Sequence, residues 1–140
     1  MHPLQAWVTG PIVVLAMFFY LYAFVRVAAQ KRLKISLREH ARKFVSGDHI
    51  LHPFPKNMYY FVMSPEGMVK EHSQNKNTVG LNLKENIYFS PVYKKIVSRG
   101  ELGGGYTLFK WQQEGRLKTH LAFSLKKDNG DVVCMCNQMK

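Results

Sequence analysis

Acidic residues are scarce in this sequence. Nine Asp and Glu stand against twenty Lys and Arg in 140 residues, a net charge of +11. The nine acids are scattered, so the paired carboxylates of general acid–base chemistry are missing. Cysteine is scarcer still, with Cys134 and Cys136 alone, in a CxC arrangement. Residues two apart on a strand share a face but are poorly placed to bridge each other. That excludes a disulfide framework and fits two buried thiols. No cluster of His, Cys and acids has metal-ligand spacing, so neither a metal nor a cofactor is expected. Ser124 or Cys134 beside His120 lacks an orienting carboxylate, so no catalytic residue is assigned and no enzyme is expected. The glycines of Gly103-Gly104-Gly105 lead into a strand and not a helix, which excludes a phosphate loop.

Lys and Arg are absent from residues 1–6, and a secretory signal peptide needs a basic start. Next along the chain is a long apolar run, Trp7 to Ala29, whose only charge is Arg26. As a helix it is long enough to cross a hydrocarbon core of roughly 30 Å. Gly10-Pro11 suits its first turn. Trp7, Arg26, Lys31, Arg32 and Lys34 are the expected membrane-interface residues, and anionic head groups the expected contact of the basic ones. From Arg26 to Val45 the net charge is +6, so the excess is a flank of the span. It does not form the basic face that nucleic-acid binding needs. A bare amino-terminal flank and a basic carboxy-terminal one predict a single-pass protein of a bacterial-type cytoplasmic membrane. The soluble domain is then on the cytoplasmic side.

Gly and Pro are also absent from Gln30 to Val45. Leu33, Leu37, Ala41 and Phe44 or Val45 recur at helical spacing, so a basic amphipathic helix is expected to continue the span. Ser46-Gly47-Asp48 closes it and residues 48–56 form a proline-stiffened linker. His40, His49 and His52 have no acids around them and are read as surface residues. The domain, residues 57–140, begins with a strand at Met58 to Met63. Ser64-Pro65-Glu66-Gly67 is a turn and Met68 to His72 the returning strand. A polar stretch from Gln74 to Lys84 leads to a helix opened by Ser90 as cap and Pro91 at its first position. Three strands finish the chain: Tyr106 to Gln112, Arg116 to Lys126 and Asp131 to Cys136. Asn129-Gly130 offers the positive φ angles of a tight hairpin. Thr107, Phe109 and Trp111 share one strand face, as do Thr119, Leu121, Phe123 and Leu125; together they are expected to form the core-facing side.

The stretch from Tyr59 to Leu83, with the one from Gly103 to Cys134, resembles the Cache family of sensor domains, relatives of PAS. The residues that carry the likeness are Pro65-Glu66-Gly67, His72, Val79-Gly80-Leu81-Asn82-Leu83, Gly104-Gly105-Tyr106, Trp111 and Lys118. Ser73 comes after His72 where that family has a proline-like step. The resemblance implies an α+β fold: one amino-terminal transmembrane helix continuing into a long helix packed on a five-stranded antiparallel PAS/Cache-like sheet. It implies a small-molecule pocket between the sheet and the crossover. Tyr106, Phe109, Trp111, Lys118 and His120 are its candidate lining, with Lys118 meeting an anion.

Two functions are expected as alternatives. The chain ends at Lys140 with no signalling module, which favours a non-catalytic docking or accessory subunit of a larger complex of integral membrane proteins. The alternative is a sensor for a small anionic ligand that signals through a separate partner.

Overall fold

A computed structural model of the chain describes residues 3–47 and 54–139. His49, His52 and most of the expected linker lie outside the described residues, as does the Trp7 side chain. Among the described residues the chain forms two α-helices and five strands, with short 3-10 turns at Lys76–Thr78 and Leu83–Glu85. In order these are α1 (Pro3–Val45), β1 (Met58–Met63), β2 (Val69–His72), α2 (Ser90–Glu101), β3 (Gly105–Gln113), β4 (Arg116–Lys126) and β5 (Val132–Gln138). Contacts divide the chain into two compact units, Met1–Leu33 and Lys34–Lys140.

The first unit is helical. From Gly10 to Val27 every residue is exposed, and the segment is apolar and long enough to cross a membrane. The helix starts earlier than the apolar run suggests, so Pro11 falls inside it and Pro3 takes the first position. Pro3 is the better start because a proline there gives up no intrahelical hydrogen bond.

The second unit holds the sheet, in the order β2-β1-β5-β4-β3 with every pair antiparallel. β1 and β4 stand on the residues that composition and alternation predict. β5 runs on to Gln138 because its end is paired on both sides, Met58 with Asn137 and His120 with Gln138. In the β4–β5 hairpin Gly130 alone of the Asn-Gly pair takes a positive φ, 93°. Its N–H donates to the Lys127 carbonyl, and Lys127 N–H to that of Asp131. This is a three-residue loop ending in a left-handed glycine and not the two-residue turn.

The expected core face needs correction. The register pairs Phe109 with His120, Trp111 with Lys118 and Thr107 with Ala122. Residues directly opposite share a face, so Phe109 and Trp111 lie with His120 and Ala122. Leu121 and Phe123 lie on the other face, opposite Leu108 and Tyr106. Both faces of the sheet are covered, which is why both alternating sets read as apolar. On one side, Leu37, Ala41 and Phe44 of α1 are buried, and the Phe44 and Tyr60 rings lie 4.6 Å apart. His40, expected at the surface, is half-buried there; it donates from Nδ1 to the Ser36 carbonyl (2.7 Å). On the other side, Phe61, Met63, Phe109, Ala122, Cys134 and Cys136 pack under Leu83, Phe89 and Ile96 of the crossover. Cys134 and Cys136 are buried free thiols. Burial pushes Cys134 up to about 12, and Cys136 also upward, so both stay protonated.

Candidate ligand cleft with a neutral histidine in its floor

The crossover does not seal the sheet completely. Between them lies a cleft of about 540 Å³. Its floor is aromatic and buried: Phe61 from β1, Phe89 from the start of α2, Phe109 from β3 and His120 from β4. Tyr59 and Trp111, partly buried, stand beside it, and Asn57, Gln74, Asn75, Gln112, Gln138 and the acidic Glu114 give it polar edges.

Local chemistry positions each wall. Phe89 meets Phe61, Phe109 and Trp111 edge-on, with centroids 6.0, 5.3 and 6.5 Å away, the arrangement the ring quadrupole favours. Its backbone is fixed by Asn86, whose Oδ1 accepts the N–H groups of Tyr88 (2.9 Å) and Phe89 (3.1 Å). Asn86 thus does the work expected of Ser90: the helix begins at Ser90 itself, and its cap residue Phe89 makes no side-chain cap. His72 organises the opposite wall. Its Nδ1 accepts from the backbone N–H groups of Gln74 (3.1 Å) and Asn75 (2.8 Å). That leaves the ring proton on Nε2. Its ring stacks on Tyr59 at 5.3 Å and Phe61 at 6.0 Å.

His120 is 2% exposed. The Tyr59 hydroxyl lies 2.8 Å from its Nδ1, and its ring stacks on Phe109 at 5.2 Å. Its Nε2 is buried with no hydrogen-bond partner among the described residues. Burial first, and the Lys118 charge second, lower its pKa to about 4. Burial also holds the Tyr59 phenol well above its ordinary value. At neutral pH both groups are therefore uncharged. With the phenol donating to Nδ1, the imidazole keeps its proton on the unpartnered Nε2. Among the described residues, no group of three His, Cys, Asp or Glu could hold a metal ion.

Of the five residues expected from sequence, Phe109, Trp111 and His120 line this cleft. Tyr106 lies on the other sheet face, where it packs on Phe123 (5.0 Å) and donates to the Lys34 carbonyl (2.6 Å). Lys118 is half-buried opposite Trp111 and is not among the lining residues. Sequence reasoning missed Tyr59, Phe61, His72 and Phe89. The i, i+2 aromatic pair Tyr59 and Phe61 repeats the spacing of Phe109 and Trp111, a usable signal. Phe89 had none, because a crossover residue has no periodicity. Arg26, Lys31, Arg32 and Lys34 are all exposed on α1.

No protein-family model and no curated protein matches the sequence. In three dimensions the chain is similar to a methyl-accepting chemotaxis protein from Vibrio parahaemolyticus. The TM-score is 0.53 at 16% identity, over 93% of this chain and 92% of that one. It is similar also to a Cache chemosensory domain that recognises carboxylic acids, with a TM-score of 0.52 at 14% identity over 97% and 94%. The fold is a Cache fold. A periplasmic sensor domain of a chemotaxis protein shares it as well, with a TM-score of 0.50 at 18% identity over 99% and 100%. The likeness carried by Pro65-Glu66-Gly67, His72 and Trp111 therefore holds as a statement of fold, and the cleft lies between the Cache sheet and its crossover.

Proposed function

We propose that this chain is a membrane-anchored sensor of a small molecule. The ligand occupies the cleft, and occupancy passes to a partner or to another segment of the protein. The observation that carries this reading is the cleft itself. Its volume lies in the range that holds small ligands, its floor is apolar and aromatic, and a buried imidazole nitrogen there lacks a partner. The docking-subunit reading has no comparable feature behind it, and the Cache neighbours favour sensing. Carboxylic acids are the first class to test, given the excess positive charge and the neighbour that recognises them. Here the charge would act at a distance, and the polar contacts would come from the amide groups at the rim, which Glu114 shares.

We also propose that the domain stands on the outer side of the membrane, like the periplasmic neighbour. The charge flanks argued for the cytoplasm. However, Lys34, Arg38, Arg42 and Lys43 belong to the sheet unit, and folded domains cross membranes largely regardless of their charge. Protease added outside sealed cells should digest the domain; full protection would restore the cytoplasmic side and leave sensing untouched.

The test of sensing is a thermal-shift screen of the full chain in detergent against a broad metabolite panel. A true ligand at a hundred times its Kd adds about 2.7 kcal/mol of stability and raises Tm clearly. A panel without any saturable shift would end the sensor reading.

A further inference from the structure

The sensor reading leaves the ligand open, and the shape of the cleft narrows it. Resting on that reading, we infer that the ligand carries a flat aromatic ring, held by stacking and edge contacts on the cleft floor, with its polar group at the polar edge. Three observations support this. First, the described cleft is about 540 Å³, several times what a two- or three-carbon acid occupies. Second, its inner surface is built of rings already ordered in two sets. His72 is parallel to Phe61 within 5° and His120 to Phe109 within 16°, while Phe89 stands edge-on to both phenylalanines. Such walls reward a flat partner over a puckered one of equal area. Third, polarity is graded. Phe61, Phe89 and Phe109 are buried, whereas Gln74, Asn75 and Gln112 are exposed. A molecule seated in this cleft puts its apolar end inward and its polar end outward.

Three probes that share one carboxylate separate the possibilities: benzoate, cyclohexanecarboxylate and acetate. They are titrated into the full chain in detergent, read by Trp emission and by Tm. Benzoate is expected to quench Trp111 and bind about tenfold tighter than cyclohexanecarboxylate, with acetate weakest. Trp111→Leu should weaken benzoate about fivefold and Trp111→Phe should restore it. Equal affinity for the flat and puckered rings, or acetate as the tightest, would overturn the inference while leaving the sensor reading in place. If the three probes fail, a saturable hit from the metabolite panel decides: an aromatic hit sustains the inference and an aliphatic hit overturns it. Silence from the whole panel removes both.

Discussion

At neutral pH the His120 imidazole is uncharged and buried, and that has a consequence for stability. Its pKa falls from the ordinary 6.5 to about 4 on folding. Between those values the unfolded chain binds more protons than the folded one, so stability rises with pH across that window. The contribution is fully present above 6.5 and is lost as pH falls through about 4. Allowing for solvent near the cleft, it amounts to about 1–3 kcal/mol. His72, lowered by burial too, adds in the same direction. Tm should therefore drop between pH 6.5 and 4, and His120→Asn should flatten that slope. An unchanged slope in the variant would assign it elsewhere. Glycine positions give a second contrast. Gly104 has φ +115°, and an added Cβ would lie 2.5 Å from Phe123 Cζ. Gly130 has φ +93° with open space around it. Gly130→Ala should cost about 1 kcal/mol, backbone strain alone. Gly104→Ala adds overpacking and should cost more than about 2 kcal/mol. Urea midpoints compare the two, and equal losses would refute the steric argument.

Among the elements, the entrance to α2 and the last turns of α1 each cover one face of the sheet. Asn86→Ala removes both side-chain bonds that fix Tyr88 and Phe89 and should cost about 1 kcal/mol. Because Phe89 is a wall of the cleft, the same variant should also weaken ligand binding; a stability loss with unchanged affinity would show that Phe89 is held by packing alone. On the opposite face Leu37 is fully buried, and Leu37→Ala should cost about 2–5 kcal/mol, read as a lower Tm with ligand affinity kept. The strands were legible from sequence because alternation and turn residues are local signals. The helix entrance was misread because Ser90 and Asn86 are both good caps by type, and only the backbone path shows which one meets the free N–H groups.

For the whole molecule, the exposed apolar residues from Ile12 to Val27 suit the core of a membrane by length and composition. The chain should stay with membranes through alkaline carbonate and high salt and leave only with detergent. Release by salt alone would mean that the basic residues hold it, and not the helix.

The sequence by itself determined the apolar helix and the succession of strands along the chain, since each rests on composition and spacing along a short stretch; the Cache-like fold came from a resemblance. It also marked Phe109, Trp111 and His120. Only the tertiary structure decided which face each strand turns to the cleft, because a period of two separates residues into two sets without saying which set goes where. Strand register sent Tyr106 to the α1 side. It also brought Tyr59 to His120 across 61 positions of chain. That pairing depends on β5 lying between β1 and β4, and on a crossover whose packing over the sheet no local pattern encodes.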